Sequence, residues 1–212
     1  MTEANYLAFT GLAALMTIAP GADMAIVTRS AISGGRRAAF VTSVGVCMGL
    51  FFHAVASAIG LSALISHSAT AYNVVRYLGA GYLIFLGAQG LYRTWRKSEK
   101  PSVDTKAPNK QTSSEFAMFA QGMFNNVLNP KVAVFYLTFL PQVIDPAGNV
   151  LGQSLLLAAT HLVMGLIWLG FYGAFVGRMS AFMSRPAIKR RIETITGAVL
   201  ILFGLRLALE KR

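Results

Sequence analysis

Acidic residues are scarce in this chain: eight Asp and Glu stand against 19 Lys and Arg in 212 residues. Charge of either sign is thin, at 13% of residues against 55% hydrophobic. A soluble domain carries about 25% charged residues, so an ordinary soluble fold is excluded. Cysteine occurs once, at Cys47, inside an apolar run. No disulfide can form within the chain, and the thiol reads as a buried membrane residue. Neither His-Glu-x-x-His nor Gly-x-Ser-x-Gly occurs, so the signatures of zinc protease and α/β-hydrolase chemistry are missing. A Gly-rich phosphate loop is also missing, which argues against ATP-driven transport by this chain. No enzyme site, cofactor or resident metal is expected.

What the sequence does have is apolar runs. They recur at lengths of about 20 residues, enough to cross a hydrocarbon core of about 30 Å. The reading is an all-α integral membrane protein with six spans, at about 5–27, 38–65, 74–92, 116–140, 151–176 and 192–209. The first run does not read as a cleavable signal peptide: no basic segment precedes it, and Pro20 interrupts it. Between the first two runs lies a polar connection, Thr28 to Arg37, with the turn pair Gly34-Gly35. Gly45 and Gly49 in the second run form a small-xxx-small face suited to close helix packing. The third run carries Gly79, Gly81, Gly87 and Gly90 to the same effect. These faces could serve within one subunit or between two, and a homodimer is the weakly favoured assembly.

The basic residues are not spread evenly. Three, six and five of them fall in the first-second, third-fourth and fifth-sixth connections. The remaining connections hold at most Arg76. This is the positive-inside pattern of a bacterial inner membrane protein, with the basic loops cytoplasmic and both termini periplasmic. The terminal Lys211-Arg212 oppose it weakly. Nucleic-acid binding is not expected, because no basic helix with interleaved aromatics occurs outside the apolar runs.

The halves of the chain match each other. Residues 1–93 and 116–212 each hold three spans, and 94–115, rich in Lys, Ser, Thr, Pro and Asn, reads as a flexible cytoplasmic linker within one membrane domain. Each half opens with a span broken by proline, at Pro20 and Pro130, and each has a glycine eight or nine residues before it, Gly11 and Gly122. Each has a membrane histidine a little over thirty residues after it, His53 and His161. Three spans per half is an odd number, so the halves lie in opposite orientation. Inverted repeats with paired broken helices place a substrate site near the bilayer midplane.

At the first break, Pro20 removes a backbone donor and Gly21 lets the chain relax. Asp23 follows in the first turn of the resuming helix, where the dipole favours an acid. A helix cap would explain it; so would an acid that holds an ammonium group or carries a proton. At the second break, Lys131 follows Pro130, where the dipole disfavours a cation. A lysine so deep in a span needs a partner, either Asp23 or a substrate carboxylate. Asn125, Asn126 and Asn129 add amides to this stretch, and Gln121 lies one turn earlier. Unpaired amides are costly in lipid, so all four should face the interior. His53 and His161 read first as hydrogen-bond partners in helix packing and second as proton carriers.

These stretches carry a resemblance. Ala19-Pro20-Gly21-Ala22-Asp23, Asn129-Pro130-Lys131, the segment Gly79 to Gly87, and Phe139-Leu140-Pro141-Gln142 together resemble the LysE/RhtB family of bacterial amino-acid exporters over nearly the whole chain. Ala22 stands where that family's first motif usually has a second proline. The resemblance implies proton-driven efflux of amino acids or close derivatives across the inner membrane. With no deep acid besides Asp23, neutral substrates such as threonine, homoserine or leucine are favoured over lysine or arginine. Asp23 would hold the ammonium and later the coupling proton, Lys131 and the half-helix N-terminus beside it would receive the carboxylate, and Asn129, Gly21 and Asn126 are further substrate-binding candidates. The alternative is divalent metal-ion efflux, with Asp23, His53, Cys47 and His161 as ligands, which Lys131 in the same site opposes. A non-transporting scaffold is opposed by the two matched breaks.

Overall fold

The computed structural model describes residues 1–67, 114–176 and 185–209, with part of 74–92. Residues 68–73, residues 94–113 of the linker, Arg178 and the terminal Lys211-Arg212 lie outside the described residues. Helices α1 (Glu3–Ile18), α2 (Ala22–His67), α3 (Ala80–Gln89, described in part), α4 (Glu115–Val127), α5 (Pro130–Val143), α6 (Val150–Ala174) and α7 (Pro186–Leu209) follow in chain order. Among the described residues there is no strand.

Local chemistry sets the helix ends. Thr2, Ser114, Asn129 and Asn149 cap α1, α4, α5 and α6, each side chain accepting a first-turn N–H. Pro130 takes the first position of α5, where its missing donor is harmless. Two stretches, Ala22–Gly60 and Val150–Ala174, are long and apolar enough to cross a membrane by length and composition. Helices α1, α4 and α5 have 16, 13 and 14 residues, short of the roughly 20 a crossing needs. All three end or begin at one of the two breaks, 19–21 and 128–129.

The first connection differs from expectation. Instead of a ten-residue polar loop, the helix runs on to Gly34 and reverses at Gly35, whose φ is 72°. The left-handed region is open to glycine at no steric cost. The reversal is visible in the contact between Thr42 and Ser30, whose hydroxyls are 2.8 Å apart. In a straight helix those residues would be about 18 Å apart. The polar residues of 28–37 thus sit on two helix ends rather than in a loop. Helix α7 likewise starts at Pro186, six residues before the expected span, because its first turns are basic and escaped a hydropathy reading.

Glycines let the helices approach. A Cβ on Gly45 would collide with the Phe119 carbonyl, one on Gly122 with the Thr42 carbonyl, and one on Gly49 with Asn126. The second limb of α2 and α4 therefore touch backbone to backbone, the way membrane helices associate without a hydrophobic drive. Helix α6 wedges between the limbs of α2, with Gly165 against the Cys47 sulfur and Gly173 against Ala39 and Val27. Gly87 and Gly197 bring α3 and α7 together. Gly11 breaks the pattern: nothing lies within 4 Å of where its Cβ would be. Its match to Gly122 is one of sequence and not of packing.

The molecule has two distinguishable ends. The N-terminal ammonium lies 3.8 Å from Asp145, and Asn5 donates to the Val143 carbonyl at 3.3 Å. At the other end, Arg37 pairs with Glu115 on the surface, and Arg36 lies over the Phe175 ring at 5.9 Å.

Candidate functional site

The two breaks meet at a cavity of about 580 Å³, its open mouth included. Gly21, Asp23, Asn126, Asn129, Lys131 and His161 all line it. Its apolar wall includes Met24, Val46, Leu50, Phe135 and Leu169.

Each proline frees the carbonyl four residues before it, because it has no N–H to give. For Pro20 that carbonyl belongs to Met16, and the Lys131 ammonium donates to it at 3.2 Å. For Pro130 it belongs to Asn126, and it accepts from His53 Nε2 at 3.1 Å. A carbonyl can only accept, so His53 carries its proton on Nε2. Each freed carbonyl is thus met by a side chain from the other half of the chain. The dipole objection to Lys131 dissolves here. Its backbone opens α5, but its long side chain carries the charge to the C-terminal end of α1, where a cation is favoured.

Asp23 is held in the complementary way. Asn125 Nδ2 donates to one carboxylate oxygen at 2.8 Å and Asn126 Nδ2 to the other at 3.3 Å. The acid at the start of α2 is thereby bound by the last turn of α4. No ion pair joins Asp23 to Lys131 among the described residues, although one was expected as an alternative to a substrate contact. Both side chains are half-buried and face the same cavity. Asn129 accepts the Lys131 backbone N–H at 3.1 Å, so its carbonyl oxygen caps α5.

Of the secondary candidates, His161 lies in the cavity wall and Asn125 one contact behind it, through Asp23. His53 stands outside the cavity and serves the Asn126 carbonyl. Gln121 is exposed and does not line the cavity, contrary to expectation. It lies more than one helical turn before Asn126, on a helix with Gly122 facing inward, and its neighbour position turns it away. Cavity residues not singled out beforehand include Met16 and Thr17. A signal for Met16 existed: it is the fourth residue before Pro20. Among the described residues, no group of three or more His, Cys, Asp or Glu is placed to hold a metal ion.

Fold and site together define a class: a helical membrane protein with an acid and a base at two helix breaks around one cavity. Comparison with known proteins gives the family. The LysE type translocator profile matches residues 14–211, and the chain belongs to that family. It is 31% identical over 209 residues to the uncharacterized membrane protein YrhP of Bacillus subtilis (strain 168), covering 97% of this chain and 99% of that protein. It is 31% identical over 208 residues to the homoserine/homoserine lactone efflux protein of Salmonella typhi, covering 98% of each. To the leucine efflux protein of Salmonella typhi it is 29% identical over 211 residues, covering 96% of this chain and 94% of that protein. No solved structure matches the chain.

Proposed function

We propose that this protein exports neutral amino acids or close derivatives, of the homoserine, threonine or leucine kind, across the bacterial inner membrane. The observation that carries the proposal is the disposition of Asp23 and Lys131. They lie on opposite breaks, face one cavity, and are each held by backbone or amide groups instead of by one another. A zwitterion fits between such groups, its ammonium toward Asp23 and its carboxylate toward Lys131. The names of two relatives, one for homoserine and its lactone and one for leucine, support the substrate class.

In this reading residues 1–93 and 116–212 are inverted three-helix halves joined by the linker 94–115, and together they make six spans. The end with Arg36 and Arg37 faces the cytoplasm, and the end with the N-terminus faces the periplasm. Alternating access moves the halves against each other around the site. A proton arriving from outside binds Asp23, displaces the ammonium and releases the substrate outward.

Counterflow of labelled amino acids in proteoliposomes tests this. Asp23→Asn should exchange substrate without responding to a pH gradient, and Lys131→Met should fail to exchange. Wild-type rates and unchanged pH dependence in both variants would sink the mechanism.

A further inference from the structure

Between the cavity and the N-terminal end, the interior is filled by aromatic rings. Phe9 lies 5.5 Å from Phe135, 6.2 Å from Tyr136 and 6.3 Å from Phe139, centroid to centroid. Phe9, Phe135, Tyr136 and Phe139 are each 2% exposed or less. Their place follows from the two helices that carry them. Helix α1 runs from Asn5 at that end to Met16 at the cavity, and α5 runs back from Lys131 to Val143. Toward Gly35 the buried side chains are mostly smaller: Met24, Val27, Ala39, Val46, Cys47, Leu169 and one ring, Tyr172. Among the described residues, the packed ring cluster thus seals the N-terminal side of the cavity.

His161 and Phe135 both line the cavity and belong to this seal, the His161 ring parallel to Tyr136 within 4° and edge-on to Phe9 and Phe135. Its nitrogens reach two broken helices. Nε2 lies 3.1 Å from the Thr17 hydroxyl, in the last turn of α1, and Nδ1 lies 3.2 Å from the Tyr136 hydroxyl on α5. The proton positions follow from one further bond. Thr17 directs its single hydroxyl hydrogen to the Ala13 carbonyl at 2.7 Å. Toward His161 it can only accept, so Nε2 carries the proton and Nδ1 accepts from Tyr136. Both ring nitrogens are thus committed in one directed chain, from Tyr136 through His161 and Thr17 to Ala13. Thr17 adjoins Met16, whose carbonyl holds Lys131. The last turn of α1 is held twice from the second half of the chain, once by a cation and once by a neutral imidazole.

We propose that His161 is a positioning residue of the transport cycle, a hydrogen-bonded lock that ties the last turn of α1 to α5 and keeps the aromatic seal closed over the cavity. The proposal rests on the transport reading above. When a substrate carboxylate draws Lys131 off Met16, His161 is the hold that remains. Opening toward the N-terminal end then requires that its two bonds be broken, besides those of Asn5 to Val143 and Tyr6 to Thr160 at the far end of α1.

Cys47 offers a direct readout. It is the only cysteine in the chain, it lines the cavity, and it is native. Its alkylation by a membrane-impermeant maleimide is measured in vesicles of both orientations. In the wild type, labelling from the N-terminal face should be slow, with Cys47 1% exposed behind the seal. His161→Leu should accelerate it by about tenfold, the effect of losing one or two buried hydrogen bonds. Tyr136→Phe and Thr17→Val, which keep the shape and remove one contact each, should give smaller rises. His161→Gln retains a donor and an acceptor and should return labelling to within about threefold of wild type. In counterflow, His161→Leu should lower kcat while KM stays within about twofold, as expected for a residue that acts on the seal and not on bound substrate.

Wild-type labelling from the N-terminal face in His161→Leu overturns the lock. So does an equal rise in His161→Leu and His161→Gln, which would trace the effect to ring packing. If His161→Leu does not fold, unchanged labelling in both Tyr136→Phe and Thr17→Val overturns it instead. Absence of amino-acid counterflow in the wild type overturns the transport reading alone, because labelling needs no substrate.

Discussion

At Pro20 the freed carbonyl is that of Met16 and its donor is the Lys131 ammonium; at Pro130 it is that of Asn126 and its donor is the neutral imidazole of His53. The Asn126 carbonyl also receives the Asn129 N–H at 2.9 Å, so the second break is served by a local turn as well. The second break is closed by groups that are almost wholly buried, with Asn126 1% exposed and His53 5%. The first is closed by a charge that faces a cavity. A neutral donor would satisfy Met16 as well as Lys131 does, and at lower desolvation cost. The difference teaches that packing explains His53 completely and explains Lys131 only in part.

Lys131→Met breaks the comparison most severely. It removes the donor to Met16 and the cation opposite Asp23 together. Transport should fall by about a hundredfold or more, the order of loss when one charge-stabilising donor is removed from a functional site. Initial rates of counterflow at saturating substrate give the number. Retention of a tenth or more of the wild-type rate would reduce Lys131 to the structural role that His53 plays.

Next in size is the pair Gly122→Ala and Gly11→Ala. The two glycines occupy matching places before the two prolines, but only Gly122 is pressed on another backbone. Gly122→Ala should destabilise by about 1–3 kcal/mol through overpacking. Gly11→Ala should be neutral or slightly stabilising, since alanine is the better helix former by about 1 kcal/mol. Unfolding monitored in detergent separates them, and equal losses would show that Gly11 too is covered in the folded protein.

His53→Leu comes third. It leaves the Asn126 carbonyl with the Asn129 N–H alone and should cost about 1–2 kcal/mol of stability. Because His53 does not line the cavity, KM for the exported amino acid should not change. A raised KM with normal stability would move His53 into the site.

How much of this could be read in advance divides along physical lines. Pro20, Asp23, Pro130 and Lys131 announced themselves, because prolines and charges inside apolar runs have few bland explanations. The glycine face at Gly45 and Gly49 was legible because spacing on a helix is a local property. The turn at Gly34-Gly35 was legible too, but the helix that continues up to Gly35 on both sides was not. Arg29, Arg36 and Arg37 made the segment look like a loop, although basic side chains sit well on helix ends near a membrane surface. The different employment of His53 and His161 was also hidden, because both lie a little over thirty residues after a proline in apolar sequence. Which carbonyl or hydroxyl each meets depends on how the halves cross. The ring cluster around Phe9 arises from α1 and α5, far apart in the chain, and has no local signature. The partner of Lys131 lay between these cases: Met16 follows from counting four residues back from Pro20, and the contact does not.

Asn129 sharpens the comparison last and most finely. The second break has a side chain to cap its resuming helix, with Asn129 accepting the Lys131 N–H. At the first break the residue before α2 is Gly21, which has no side chain. Asn129→Ala should therefore cost about 1 kcal/mol, the usual value of a lost cap. Asn129→Ser, which can still accept from the first turn, should recover most of it. Transport discriminates what stability cannot. If capping is the whole of its role, Asn129→Ser restores transport along with stability, because the start of α5 and with it Lys131 stay in place. If its amide also meets the substrate, Asn129→Ser restores stability while KM stays raised, since a serine is too short to reach into the cavity. The second outcome would assign Asn129 to the site proper; the first would leave Asp23 and Lys131 to hold the zwitterion's two charges.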